Sequence, residues 1–381
     1  MGQFYLMTDD QREIVDLVDK FCKKELDPIV AEYDRKGEFP MHVYEKAGEL
    51  GFWGIGIPAE YGGLDVSCVT HALVKMTMGY HDAGYAASHD GATLGIKPIL
   101  ESGSEDQKHY VADRILNNGE FTCMCITEGH CGSDVSGIKT TAVREGDEYV
   151  LNGTKAFVTN GSLASMYTVL AVTDKTKGYK GMSLFLVERD IPGVIVGKDE
   201  DKMGFRLSNT TEVSFVDVRV PVKNLIGQEG MGFTYIMQTL NRTRPMSIAS
   251  AIGLSQRALD YAVEYSKIRF AMGQPIYKNQ GISFMLADME IQIEAARQLM
   301  LYNCEMIDRD IIMRGRGSIP KAFAADMCMK VTTNALQVFG GYGYTKDYPM
   351  EKLMRDAKIF SIFEGPTQIQ LKIIAELLTG K

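Results

Sequence analysis

No stretch of this 381-residue chain holds the roughly 18 to 20 consecutive apolar residues that cross a bilayer, so membrane insertion is not expected. The opening segment MGQFYLMTDDQRE has no cationic stretch followed by an apolar core, so it does not read as a secretory signal. A cytoplasmic location, or an organelle matrix after processing, is the expectation. Positive charge is scarce: 41 Lys+Arg stand against 49 Asp+Glu, a formal charge of −8. That balance argues against a general nucleic-acid binder, which needs clustered cations facing phosphates. Cysteines are too few and too scattered for a disulfide framework. The seven are Cys22, Cys68, Cys123, Cys125, Cys131, Cys304 and Cys328, an odd number read here as reduced. Cys123, Cys125 and Cys131, with His130 beside them, lack the paired spacing of a zinc knuckle, so no metal site is assigned. Gly-x-Ser-x-Gly and His-Glu-x-x-His are both absent, which leaves hydrolase and zinc-protease readings without support.

Glycine-rich turns are present but out of context. Gly54-Ile55-Gly56-Ile57-Pro58-Ala59 fits the spacing of a dinucleotide fingerprint, yet Pro58 and Tyr61-Gly62-Gly63 follow it and no βαβ alternation surrounds it. Gly340-Gly341-Tyr342-Gly343 lacks the Lys-Ser/Thr of a phosphate loop and reads alone as a helix end and turn.

The length allows two or three domains, and the pattern along the chain supports three. Thr8-Asp9-Asp10-Gln11 has the form of a capping box, followed by Ile14, Leu17, Val18, Phe21 and Leu26 at helical spacing. Further helices are expected near 41–50, 66–80, 92–102 and 105–117. From about residue 120 short β-prone runs take over: 121–126, 149–151, 156–159, 167–172, 182–187 and 212–220, with Asn152-Gly153 as a hairpin signal. Strands spaced this closely imply antiparallel pairing. After Gly227-Gln228-Glu229-Gly230-Met231-Gly232, long helical patterns return over 246–267, 279–310 and 318–339. The expected architecture is α+β: an N-terminal helical domain over 1–120, a middle antiparallel β domain over 121–228 and a C-terminal helical bundle over 229–381.

Three stretches then carry a resemblance. Cys125-Ile126-Thr127-Glu128-Gly129-His130-Cys131-Gly132-Ser133-Asp134, Asn152-Gly153-Thr154-Lys155-Ala156-Phe157-Val158-Thr159-Asn160-Gly161 and QVFGGYGYTKDYPMEKLMRDAKIFSIFEGPTQIQ from Gln337 to Gln370 resemble the signatures of the acyl-CoA dehydrogenase family. The resemblance runs in order over nearly the whole chain. It implies a four-helix-bundle C-terminal domain, FAD as cofactor, a homotetramer, acyl-CoA as substrate and electron-transfer flavoprotein as electron acceptor. It places Thr127 and Ser133 near the flavin and its phosphates, with Ser133 also near substrate, Phe157 against the isoalloxazine and Thr159 facing N5. Arg269, Gln337 and Gly341 match positions that hold the FAD pyrophosphate and adenosine, commonly across a subunit interface, and Thr367 and Gln368 flank the cofactor after the catalytic segment. Glu364 matches the catalytic base, with Gly365 beside it at the substrate. A carboxylate shielded from water gains basicity and suits removal of the α-proton as hydride leaves the β-carbon.

Several residues depart from the family pattern. Asn241, with Arg244 in Asn241-Arg242-Thr243-Arg244, stands where an Asp usually helps hold CoA. Met272 replaces a frequent Phe, and Pro366 replaces a Thr that often touches FAD, a place Thr367 can take after a local shift. Pro366 is also expected to push Gly365 toward extended geometry. Asp90, in Ser88-His89-Asp90-Gly91-Ala92-Thr93, falls by resemblance at the floor of the acyl pocket. It reads either as a helix N-cap or as a second carboxylate facing the acyl chain, an assisting or second base for an alicyclic acyl-CoA. A buried anion there would disfavour an acyl group ending in its own carboxylate, through like-charge repulsion and desolvation, so glutaryl-type substrates are not expected. A flavin- and acyl-CoA-binding protein without turnover is the alternative of a different class.

Overall fold

The computed structural model describes residues 7–313 and 315–380. Seven helices come first: α1 (Asp9–Phe21), α2 (Val30–Lys36), α3 (Met41–Glu49), α4 (Cys68–His81), α5 (Ala83–Gly91), α6 (Lys97–Ser102) and α7 (Glu105–Asn118). The capping box forms as expected, with Gln11 N–H on Thr8 Oγ1 at 3.2 Å and Thr8 N–H on Gln11 Oε1 at 3.1 Å. The apolar stripe of α1 is narrower than predicted. Val15, Val18 and Phe21 are buried while Leu17 faces water, and Leu26 is buried only because a π-turn over Cys22–Leu26 shifts the phase. α5 was not expected. Its sequence AGYAASHDG has no apolar stripe, but Asp82 caps it through Tyr85 N–H at 2.7 Å and tertiary contacts bury most of its surface.

The middle of the chain forms β1 (Phe121–Cys125), β2 (Thr141–Glu145), β3 (Glu148–Thr159), β4 (Ala164–Val172), β5 (Met182–Glu188), β6 (Val194–Asp199), β7 (Thr210–Pro221) and β8 (Leu225–Ile226). The sheet runs β6-β7-β3-β2-β4-β5-β8, with β1 added on β4. Pairing is mostly antiparallel; β1 runs parallel to β4, as does the single Thr141–Val172 contact of β2 with β4. The hairpin expected at Asn152-Gly153 is not there. β3 passes straight through, and the turn lies at Gly146-Asp147, where Glu145 faces Glu148. Asn152 instead exchanges side-chain hydrogen bonds with Asp217, and Gly153 sits at φ +150° where a Cβ would come within 2.4 Å of Thr140 Oγ1. The glycine serves a close approach, not a turn.

The C-terminal third holds α8 (Gly232–Ser247), α9 (Ala249–Ile268), a small hairpin of β9 (Phe270–Ala271) and β10 (Gln274–Pro275), α10 (Gln280–Asp308), α11 (Ser318–Phe339), α12 (Met350–Ala357) and α13 (Thr367–Thr379). α10 and α11 match the sequence expectation to within a residue or two. α8 was missed because Pro245, inside its last turn, reads as a breaker. Helices α8–α11 form the bundle, and α4 of the N-terminal region packs across α9. The crossing is close: a Cβ on Gly253 would stand 2.0 Å from Met76 O. One apolar core therefore joins Ala72, Leu73 and Met76 of α4 to α9, α10 and α11. This seam brings the N-terminal helices against the bundle and builds the site.

Candidate active site

The segment between α12 and α13 presents Glu364. A 3₁₀ turn over Lys358–Ser361 leads into Glu364 at φ +50° and Gly365 at φ +84°, and Pro366 then opens α13 as its N-cap. Gly365 thus takes the positive φ that glycine allows rather than the extended geometry expected before proline. Gln370 Nε2 fastens the turn by donating to the Gly365 carbonyl at 2.8 Å. The Glu364 side chain points into the protein, where Oε2 is buried with no hydrogen-bond partner. Loss of water raises its pKa above the usual carboxylate range; Lys75, Lys321 and Arg244 pull against that shift, and Asp90 adds to it.

Lys321, which sequence reading passed over, holds this turn. It is fully buried on α11, donates to the Phe360 carbonyl and lies 5.2 Å from the centre of the Phe363 ring. Burial pushes its pKa down to about 8 against the attraction of Glu364. Arg244 is buried in the last turn of α8, with Nη1 donating to Asn241 Oδ1 at 3.1 Å and Nε unpartnered. Asn241 is therefore a partner of Arg244. Removing the ammonium in Lys321→Met should raise the apparent pKa of the base, moving the acid limb of the kcat/KM–pH profile upward. Lys321→Arg should restore it, which separates a field effect from loss of packing.

Asp90 occupies the last turn of α5, so the N-cap reading is corrected; its backbone, not its carboxylate, meets Thr93. The carboxylate accepts from His71 Nε2 at 2.7 Å and from Lys75 Nζ, both on α4. Burial would raise its pKa, but Lys75 and His71 overcome that and hold it well below the usual range. α5 in turn rests on the end of β3. Asn160 Nδ2 donates to the Ser88 carbonyl at 2.8 Å, and a Cβ on Gly91 would lie 3.3 Å from Thr159 Cγ2. Asp90, Thr159 and Glu364 thus converge on one region, with Lys75 acting on both carboxylates.

β3 ends in a bulge that turns Phe157 outward at φ +55° with 66% of its surface exposed. Below it Lys155 is buried, donating to Ile126 O at 3.1 Å and Glu128 Oε1 at 2.9 Å, while Ala156 N–H donates to Thr127 O at 2.8 Å. Glu128 also accepts from Lys139 N, Thr140 N and Thr140 Oγ1. Burial opposes its ionisation, yet these donors and Lys155 bring its pKa down to about 2. Thr127 is half-buried beside this network, and Ser133 is exposed on the following loop. Because Glu128 is depressed on folding and 4% exposed, it contributes about 3 kcal/mol present above pH ~4.5 and lost as pH falls toward about 2. Glu128→Gln should therefore lower thermal stability at pH 7, with the gap to the wild type narrowing in acid.

Arg269 and Gly341 form a second group. They line a cavity of about 440 Å³ with Tyr265, Phe339, Gly340, Tyr342 and Thr345, and none of the first group lines it. The Arg269 guanidinium lies 5.8 Å from the Tyr342 ring centre, and a Cβ on Gly340 or Gly341 would stand in open space. Gln337 is exposed one turn before the cavity, Gln368 is exposed on α13, and Thr367 is buried with Oγ1 3.4 Å from Asp326. Met272, 99% exposed at φ +51° in the β9–β10 turn, stands beside exposed Phe270 and Ile268. Among the described residues no cluster of three metal-binding side chains occurs and no helix is long and apolar enough to cross a membrane.

Known protein families match this arrangement along the whole chain. Residues 8–120, 123–218 and 230–379 match the acyl-CoA dehydrogenase N-terminal, middle and C-terminal domains respectively. The chain belongs to the acyl-CoA dehydrogenase family. It is 39% identical over 380 residues to an acyl-CoA dehydrogenase of Bacillus subtilis, covering 98% of this chain and 99% of that one. A cyclohex-1-ene-1-carbonyl-CoA dehydrogenase of Geobacter metallireducens is 39% identical over 379 residues, 98% of each chain. The solved butyryl-CoA dehydrogenase of Megasphaera elsdenii superimposes with a TM-score of 0.95 at 38% identity, covering 100% of both chains. The helical, β, helical plan is thus the acyl-CoA dehydrogenase fold, and the protein is an oxidoreductase acting on acyl-CoA.

The family is FAD-dependent, and the residues present fit that cofactor. Exposed Phe157 offers an aromatic face to a flat ring system, and the bare Gly340–Gly341 backbone beside Arg269, which has no carboxylate in ion-pair range among the described residues, suits phosphate oxygens.

Proposed function

We propose that the protein is an FAD-dependent acyl-CoA dehydrogenase in which Glu364 removes the α-proton and a 2-enoyl-CoA is formed. The observation that carries this is the Glu364 carboxyl itself: buried, unpartnered at Oε2 and raised in pKa, on a turn whose positive φ values aim it at the region where α5 meets the Phe157–Thr159 strand end. Bound FAD supplies the hydride acceptor. The chain's own residues do the rest: Glu364 takes the proton, its backbone N–H polarises the thioester carbonyl, and Lys75, Lys321 and Arg244 favour the ionised carboxyl against the effect of burial. Phe157, Thr159, Thr127 and Ser133 hold the flavin half, and Thr367 and Gln368 flank it. Arg269, Gln337 and Gly341 hold the pyrophosphate half. Asn241, Arg244, Ser133 and Gly365 bind substrate.

Because one chain keeps Arg269 and Gly341 on a cavity apart from Glu364, a homotetramer that joins one subunit's second group to another's first accounts for both sites. The exposed apolar side chains Ile268, Phe270 and Met272 around Arg269 support that assembly. Electron-transfer flavoprotein is the proposed acceptor. A second reading, an alicyclic acyl-CoA as substrate, draws on the Geobacter relative; in it Asp90 assists Glu364 through the shared Lys75, since a carboxylate held so far below its usual range is a weak base. The purified protein should be yellow and should bleach when a saturated linear, branched or cyclic acyl-CoA is added without oxygen. A yellow protein that binds these thioesters and bleaches with none would instead be the binder without turnover.

A further inference from the structure

The turn that presents Glu364 is held from the middle of the chain. The connection between β6 and β7 places Phe205 in the core, 5% exposed, at φ +51°. A positive φ is costly for a bulky side chain and persists only where the surroundings fix it. Here they do. Phe205 N–H donates to Asp356 Oδ1 at 2.7 Å, and Arg355 Nη1 donates to the Met203 carbonyl at 2.9 Å. A Cβ on Gly204 would stand 2.6 Å from the Arg355 carbonyl, and one on Gly84 of α5 would stand 3.0 Å from Phe205 Cα. The connection is therefore clamped between α12 and α5.

The strained backbone delivers one ring. Phe205 meets Phe360 edge-on at 5.3 Å and 81° and Phe363 at 6.1 Å and 81°, while Phe360 meets Phe363 at 5.5 Å and 73°. Phe360 lies in the 3₁₀ turn over Lys358–Ser361, and Phe363 immediately precedes Glu364. Lys321 grips the same two residues, through the Phe360 carbonyl and the Phe363 ring. The charged groups acting on Glu364 are Lys75 from α4, Lys321 from α11, Arg244 from α8 and Asp90 from α5, and Arg244 and Asp326 also act on Lys321. Lys75 is held by Asp90 and Arg244 meets Asn241, so Lys321 is the cation whose anchors rest on Phe205.

We propose, resting on the dehydrogenase reading above, that Phe205 is a positioning residue for the base: its ring holds Phe360 and Phe363 so that Lys321 stays against the turn and Glu364 is presented in a fixed place. Without the ring, the Phe363 segment and Lys321 separate. The attraction between ammonium and carboxylate then weakens, proton uptake by Glu364 moves to higher pH, and a misplaced base transfers the proton more slowly.

The test follows Glu364 itself by infrared titration of the FAD-loaded protein, its protonated-carboxyl band being identified by its loss in Glu364→Gln. Phe205→Leu should move that midpoint up by about half a pH unit or more and lower kcat for anaerobic bleaching by about tenfold, with equilibrium thioester binding within about twofold of the wild type. Gly204→Ala keeps every other side chain but displaces the connection from Arg355. It should move the midpoint in the same direction, and it serves if Phe205→Leu does not fold. Lys321→Met already carries the shift, so adding Phe205→Leu to it should move the midpoint no further. Phe185→Leu, at a fully buried position in the sheet, should lower thermal stability without moving the midpoint, which separates positioning from general loss of packing. An unchanged midpoint in Phe205→Leu and Gly204→Ala, or the same added shift on the Lys321→Met background, overturns the proposal. Absence of bleaching in the wild type counts against the dehydrogenase reading alone, because the titration still decides the coupling.

Discussion

Replacing Glu364 by Gln is expected to slow anaerobic flavin bleaching by acyl-CoA about 10²- to 10⁴-fold, the usual contribution of a positioned general base. Gln keeps the size of the side chain and its place on the turn, where the backbone is fastened independently by Gln370. It removes only the capacity to accept a proton. The loss should therefore fall on kcat and kcat/KM together, with FAD content and thioester binding retained. Retained bleaching would move the base elsewhere. Among the described residues, Asp90 is the carboxylate that acts on Glu364, and Lys75 and His71 already occupy it.

The second large effect is on stability. Lys352 on α12 is buried between two fully buried carboxylates, at 2.5 Å from Asp82 and 2.6 Å from Asp356. Asp82 also caps α5, and Asp356 also accepts from Phe205 N–H at 2.7 Å, so the triad ties the helix that carries Asp90 to the segment leading to Glu364. Lys352→Met leaves two anions buried without their shared cation, at a cost of about 3–5 kcal/mol. The pH dependence has a definite sign. Burial already raises the pKa of Asp356 above the usual carboxylate value and Lys352 opposes that shift, so without Lys352 it rises further and the mutant loses more stability than the wild type as pH rises. Its deficit should be larger at pH 8 than at pH 5, measured by thermal unfolding of the FAD-loaded protein. Adding Asp82→Asn or Asp356→Asn to Lys352→Met should recover part of the loss, while an additive further loss would contradict the triad.

Elements with strong local signals were legible in the sequence. α1 has a capping box, and α10 and α11 have long apolar repeats, so each could be read one residue at a time. α5 could not, because its helicity comes from Asp82 and from burial on several sides. Asn152-Gly153 misled because the same dipeptide that suits a tight turn also suits a strand whose backbone must pass close to Thr140. Glu364, Thr159 and Arg269 were found only through motif resemblance; nothing in local spacing distinguishes them from surface residues.

The lysines were missed for a different reason. Lys75 within Ala72-Leu73-Val74-Lys75-Met76 and Lys321 within Ile319-Pro320-Lys321-Ala322-Phe323 each interrupt an apolar run, and a lysine there is a usable sign of a buried, paired charge. Their partners, however, are distant in sequence: Asp90 is on the next helix, and Phe360 is 39 residues beyond Lys321. Only the fold supplies those pairings.

The claim that Glu364 removes an α-proton in concert with flavin reduction is tested most directly by the rate of anaerobic bleaching with an acyl-CoA deuterated at the α-carbon. The account predicts slower bleaching by the deuterated thioester in the wild type and residual, strongly reduced bleaching in Glu364→Gln. Equal rates for the two isotopologues at the chemical step, with Glu364→Gln as fast as the wild type, would contradict it.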